Sequence, residues 1–234
     1  FDKVVGERPN LWLYIHGPTH HWAISAQREA ALLLPAAEIF SSVLSLLRGS
    51  FENYPSRNLE GAWMAAIYPD HGWGGKEGQI TDRLFKKKYE FARDTGREIL
   101  ASALESIATE VNTSPRGIPV VVFNALSWKR TDPVVCTVKP ASSNFVIHDS
   151  QGKPVAHQLL PRVPDQEQGE VRIEFIAQDV PAIGYKTFYL VEDKTSSAVK
   201  SEAQSPQAAN IEAMLPAASH ENNFYSIELA PGGI

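Results

Sequence analysis

Ser114-Pro115-Arg116-Gly117-Ile118-Pro119-Val120-Val121-Val122-Phe123-Asn124 divides this chain into two halves with different hydrophobic periods. Before Pro115, apolar residues recur at spacings of three and four, as on one face of a helix. After it, short apolar runs follow one another with the period of strands. Ser114-Pro115-Arg116-Gly117 closes the helical half, and Val121 to Asn124 opens a β-rich half. The class that follows is α+β: an antiparallel three-helix bundle followed by an antiparallel β-sandwich.

Upstream of the divide, Leu11-Trp12-Leu13-Tyr14-Ile15 reads as a buried strand that ends at His16-Gly17-Pro18. A helix is expected over 25–48, with Leu32, Leu33, Ala36, Ile39, Phe40, Val43, Leu44 and Leu47 gathered on one face. Pro35 removes a backbone donor inside this run and predicts a kink or a break into two shorter helices. Gly49 ends the pattern. A second helix is expected over 59–67. A third runs over 81–112, with Thr81 or Asp82 available as N-cap. Three amphipathic helices with short connections imply an antiparallel bundle.

Downstream, strands are expected at 118–124, 134–138, 145–149, 155–160, 171–176 and 185–191, separated by turn compositions such as Ser150-Gln151-Gly152-Lys153-Pro154. Strands at roughly ten-residue intervals point to a sandwich. Residues 194–207 are rich in Ser, Ala, Lys and Gln and read as a mobile linker or long loop. Asn223 to Leu229 begins a further strand, which leads to the turn Pro231-Gly232-Gly233-Ile234. The unpartnered final strand and the absence of an initiating Met lead us to expect a piece of a longer protein.

The 234 residues are 43% hydrophobic and 21% charged, an ordinary globular balance. A formal net charge of −5 and a pI of about 5.8 argue against a nucleic-acid partner, because no basic stripe exists to displace counterions. Lys86-Lys87-Lys88 lies in a helical pattern near Glu90 and Asp94, a solvated face. Cys136 is the only cysteine, so no intrachain disulfide and no four-cysteine zinc site can form. Its place in the run Val134-Val135-Cys136-Thr137-Val138 suggests a buried strand thiol. No apolar stretch is expected to span a membrane and no signal peptide is apparent. A soluble chain is expected, its compartment undetermined.

The richest chemistry sits in Tyr68-Pro69-Asp70-His71-Gly72-Trp73-Gly74-Gly75. An imidazole beside a carboxylate supplies a metal ligand with a hydrogen-bonding neighbour, or an acid/base pair. The glycines permit close approach of backbone to ligand, and Trp73 offers an apolar wall for a sugar ring. The alternative is a plain helix–loop–helix connection, with Asp70 as a cap and His71 solvated. His20-His21 is a weak metal pair, since adjacent side chains usually point apart. Asn112-Thr113-Ser114 fits a glycosylation sequon. Trp128 reads as a core residue rather than a sugar platform, and His148-Asp149 as a turn element. No phosphate-binding glycine loop and no nucleophile elbow is present.

Three segments in order resemble glycoside hydrolase family 38, the α-mannosidases. His16-Gly17-Pro18-Thr19-His20-His21, continuing to Arg28 and Ala36-Ala37-Glu38, is similar to the loop after the family's last barrel strand and the helix beyond it. The Asp70-His71 loop falls where the family has a His-Asp pair followed by small residues. Val121-Val122-Phe123-Asn124-Ala125-Leu126-Ser127-Trp128-Lys129-Arg130 resembles the opening of the family's first β-sandwich and is the most specific match. Glu221-Asn222-Asn223-Phe224-Tyr225-Ser226-Ile227 resembles the start of its C-terminal domain.

The resemblance implies a remnant of the catalytic barrel over 1–22, a bundle over 23–114, a β-sandwich over 115–193, and a linker with the start of the C-terminal domain over 194–234. It implies retaining hydrolysis of the α-mannosides of glycans with bound zinc. The catalytic carboxylates and the first zinc ligands would lie in an upstream barrel, so the chain alone is expected to be inactive and to carry no catalytic residue. His71 is the expected metal ligand, with Asp70 and Trp73 as neighbours of metal or substrate, and His20 and His21 in a substrate loop. The order Asp70-His71 reverses the family's. Aligned on Gly74-Gly75, Asp70 takes the place of the zinc histidine; aligned on residue type, His71 does. The competing expectation is a non-catalytic carbohydrate-binding or scaffold module.

Overall fold

The computed structural model describes residues 21–67, 78–113, 117–192, 219–221 and 226–228. The chain is α+β, as its two periods indicate: helices come first and antiparallel sheets follow. It divides into two compact units, Phe1–Asp193 and Lys194–Ile234.

The first unit begins with α1 (His21–Arg48), α2 (Ser56–Ala66) and α3 (Gly78–Glu110). α1 and α3 run parallel. Ala23 and Ala26 pack with Phe85 and Tyr89 near the helix starts, and Phe40 packs with Ala103 and Ile107 near their ends. α2 runs the other way. Its Trp63 Nε1 donates to Glu38 Oε1 at 3.0 Å, while Asn58, earlier in α2, lines one cavity with Ser45, later in α1.

Two expectations for α1 are corrected. It continues through Pro35 instead of breaking there. Ala30, Leu34 and Ala37, fully buried on either side of the proline, hold both segments against the same neighbours and outweigh the lost backbone bond. The buried face is also not the leucine-rich one. Ala23, Ala26, Ala30, Leu34, Ala37 and Phe40 point inward, whereas Leu32 and Leu47 are exposed. Small residues win because the helices approach closely. A Cβ added at Gly96 of α3 would meet Leu34 Cδ2 at 3.1 Å and Leu33 Cβ at 3.3 Å, so the missing side chain of Gly96 is what makes room for Leu34 between the helices. By length and composition alone α1 is long and apolar enough to cross a membrane, a test that the core helix of a globular fold also passes. Its alanine face is nonetheless packed on α3. Finally, α3 starts at Gly78, which leaves Thr81 and Asp82 inside the helix rather than at its cap.

The β half contains β1 (Ile118–Asn124), β2 (Arg130–Val138), β3 (Phe145–Asp149), β4 (Pro154–Val155), β5 (His157–Leu160), β6 (Val171–Val180) and β7 (Gly184–Glu192). They form a four-stranded sheet in the order β1-β7-β3-β4 and a three-stranded sheet in the order β2-β6-β5, with every pairing antiparallel. Ile147, Ile173, Phe175, Phe188 and Leu190, drawn from both sheets, share one hydrophobic cluster. The single strand expected at 155–160 is two short ones. The chain leaves one sheet at Val155 and joins the other at His157, so Ala156 is the crossing point.

Gly117 explains why the dividing stretch works. It has φ +148, and a Cβ there would lie 1.9 Å from the Leu190 carbonyl oxygen. Only glycine lets the chain enter β1 in register with β7, where Ile118 faces Leu190. Phe40 of α1 meets Phe123 of β1 edge-on, with ring centroids 5.4 Å apart, and this joins the helical half to the sheets.

In the second unit, β8 (Ser219–Glu221) pairs antiparallel with β9 (Ser226–Glu228). The strand expected over 223–229 is described only at 226–228.

Candidate functional site

His20, Asp70, His71 and Trp73 lie outside the described residues; the helix ends that flank them lie within. α1 begins at His21, α2 ends at Ala66 and α3 begins at Gly78. Because α1 and α3 are parallel and α2 antiparallel, these three points share one end of the helices. His21 therefore lies at the same end as the residues between which 68–77 is strung. The His21 and Trp22 rings are 4.2 Å apart. Trp22, Ile67 and Ile80 at this end are all more than half exposed, as are Met64 and Leu84 one turn in. The end thus offers water a set of large apolar side chains, an arrangement typical of a surface that meets another domain or a ligand.

Among the described residues no group of three or more His, Cys, Asp or Glu side chains is placed to hold a metal ion. A zinc site built from these residues alone does not fit. Cys136 is half-buried against the sheet cluster, and burial pushes its thiol pKa up, which makes it a poor nucleophile. Asp149 does what a turn residue does. Its Oδ1 accepts the N–H groups of Gln151 and Lys153, both at 2.9 Å. Desolvation pushes its pKa up, but those two bonds and the Lys186 and Lys153 charges outweigh it and leave the carboxyl below its ordinary value. Lys86 to Lys88 are exposed, and Lys86 pairs with Glu90 at 3.7 Å. Asn112 is exposed.

The motif after the divide has a structural role that its residue pattern hid. Asn124 is 4% exposed. Its Nδ2 donates to the carbonyls of Trp128 at 2.8 Å, Pro181 at 3.0 Å and Val180 at 3.4 Å, and its Oδ1 accepts the Leu126 N–H at 3.0 Å. Leu126 O in turn accepts from Ile183 N at 2.9 Å. One amide thus fastens the loop after β1 to the corner between β6 and β7. Trp128 is corrected: it is 59% exposed rather than in the core. The loop is held through its carbonyl, which leaves the indole outside.

The comparisons with known proteins meet the same family. No protein-family model matches the chain. A lysosomal alpha-mannosidase of Dictyostelium discoideum is 30% identical over 83 residues, which is 36% of this chain and 7% of that protein. A glycosyl hydrolase family 38 protein from Enterococcus faecalis has a similar structure, with TM-score 0.59 and 18% identity over 77% of this chain and 25% of that one. An alpha-mannosidase from Enterococcus faecalis V583 gives TM-score 0.52 and 16% identity over 75% of this chain and 23% of that one. The family that the chain resembles is glycoside hydrolase family 38, by sequence in one segment and by fold over three-quarters of its length. The chain spans a quarter or less of the length of each of these proteins.

Proposed function

We propose that this chain is the middle portion of a zinc-dependent retaining α-mannosidase-type hydrolase. In this reading the three helices are the family's bundle and the two sheets its first β-sandwich. The residues from 194 onward are a linker and the start of the C-terminal domain. The observation that carries the proposal is the fold match, over three-quarters of the chain, to a glycosyl hydrolase family 38 protein and to an alpha-mannosidase, of each of which this chain spans a quarter or less. The exposed apolar end beside His21, Ile67 and Ile80 supports it, since a catalytic barrel packed there would cover that surface.

Glycoside hydrolysis needs two carboxylates flanking the scissile bond, one protonating the leaving oxygen and one attacking the anomeric carbon. The barrel upstream would supply both. This chain would contribute the loop 68–77 to the rim of the site, with Asp70 and His71 as metal or substrate ligands, Trp73 as an apolar wall, and His20 and His21 beside them. Zinc would bind substrate oxygens and fix the sugar's orientation. Its remaining ligands would come from the barrel, because the described residues of this chain form no complete set. The partner is accordingly an α-mannoside glycan. Incubation of the 234-residue chain with p-nitrophenyl α-D-mannoside should give no turnover, and the full-length protein should give turnover. A full-length protein without glycosidase activity on any α-mannoside would leave the carbohydrate-binding or scaffold reading in its place.

A further inference from the structure

The outer face of α1, opposite its alanines, is largely apolar. Leu32, Ala36, Ile39, Val43 and Leu46 follow one another at alternating steps of four and three, which sets them in one stripe. Trp22 heads the same stripe, ten residues before Leu32. Trp22, Leu32 and Leu46 are 62%, 77% and 68% exposed, with Ala36, Ile39 and Val43 half-buried between them. Between Glu29 and Arg48 the only charged residue is Glu38, and its carboxylate accepts from Trp63 of α2. A helix that faces water carries charged and polar groups on its outer side, whereas one apolar all round is buried all round. Yet only a third of the most apolar 18 residues of α1 is buried within this chain.

We infer, on the reading of the chain as the middle portion of a longer protein, that this stripe seats the domain that precedes residue 21 in that protein, packed along the side of α1 as well as against its end. The area selects this occupant over a second copy of the chain. At 1.5 Å per residue the 28 residues of α1 are about 42 Å long, and a strip about 10 Å wide along it covers about 400 Å². Two such faces bury about 800 Å², below the roughly 1,200–2,000 Å² of a stable complex between separate chains but within the roughly 600–1,500 Å² of an interface between domains of one chain. A tethered domain docks at high effective concentration, so the smaller area suffices.

The protein to supply such a domain is there: this chain spans a quarter or less of the length of each of the proteins it matches. The sheets of the same unit join α1 in its second half, through Phe40 and Phe123. The chain enters α1 at the other end, at His21, beside Trp22, where the stripe begins and where Ile67 and Ile80 extend it. A domain attached at that point reaches both surfaces without a long linker. A bilayer fits less well, because Ala30, Leu34 and Ala37 on the opposite face are fully buried within the bundle.

Thiols placed on the stripe test the inference. Leu32→Cys and Leu46→Cys, made singly, each leave the rest of the stripe in place. Each variant is treated with N-ethylmaleimide as the 234-residue chain and as the full-length protein, native and in urea, and the new thiol is followed by mass spectrometry of its own peptide. In the 234-residue chain both thiols should react within about threefold of the urea rate. In the native full-length protein both should react at least tenfold more slowly than in urea. Rapid reaction of both in the native full-length protein would overturn the inference; turnover of p-nitrophenyl α-D-mannoside by the same sample would show that the glycosidase reading survives that failure. Protection in the 234-residue chain that grows with its concentration, with a dimer in sedimentation, would put a second copy in the domain's place. Protection of the 234-residue chain by phosphatidylcholine vesicles with which it co-sediments would put a membrane there. Either result would also overturn the inference.

Discussion

Replacing Asn124 tests how the β half is fastened. Three of its bonds are well formed, to Trp128 O, Pro181 O and Leu126 N at 2.8 to 3.0 Å, and the fourth, to Val180 O at 3.4 Å, is weak. At about 1 kcal/mol net for each good bond, Asn124→Ala should lose about 3 kcal/mol, with more added where the Val180 carbonyl is left buried and unpaired. Asn124→Asp keeps the size but turns donors into acceptors. A carboxylate then faces three carbonyl oxygens, so this variant should be at least as unstable at pH 7 and should partly recover as acid protonates it. The assay is urea unfolding by circular dichroism, read as a change in midpoint at constant slope. A loss below about 1 kcal/mol for Asn124→Ala, or an Asp variant as stable as wild type at pH 7, would refute the claim that this amide fastens the loop to the β6–β7 corner.

Other outcomes follow from the same structure. Gly117→Ala should destabilise by about 3 kcal/mol or prevent folding, since its Cβ would overlap the Leu190 carbonyl; thermal melting checks this. Phe40→Ala removes a ring 3% exposed that meets Phe123, and should lose about 3 to 4 kcal/mol in urea unfolding. The Asp149 carboxyl, held below its ordinary value, contributes stability that is complete above the unfolded pKa of about 3.9 and fades as pH falls through its folded value. The stability gap between wild type and Asp149→Asn should therefore be under about 1 kcal/mol at pH 7 and shrink below pH 4.

The β half was legible because strand period and turn composition are local signals. β1, β3 and the start of β6 fall where alternation and turn residues put them. The sheet crossing at Ala156 was not, because nothing local distinguishes one strand from two that pair with different partners. The helical half shows the opposite limit. A hydrophobicity pattern ranks Leu32 and Leu47 above Ala26 and Ala30, but the distance between helix axes decides which can be buried, and that distance is set by Gly96 and the alanines together. Pro35 reads as a break because propensity is local and the packing on both sides of it is not. Of the candidate site, His21 alone is described, at the helix end that borders residues 68–77.

As proposed, this chain lends a metal-binding loop to a glycosidase barrel. Metal analysis of the full-length protein, wild type against His71→Ala and Asp70→Ala, with turnover of p-nitrophenyl α-D-mannoside on the same samples, tests it most directly. About one zinc per wild-type protein is expected, most of it lost with most of the activity in the His71 variant, and a smaller loss in the Asp70 variant. The melting temperature of the metal-free protein should be unchanged in both. Full zinc occupancy and wild-type rates in both variants would make the loop a connector and contradict the claim.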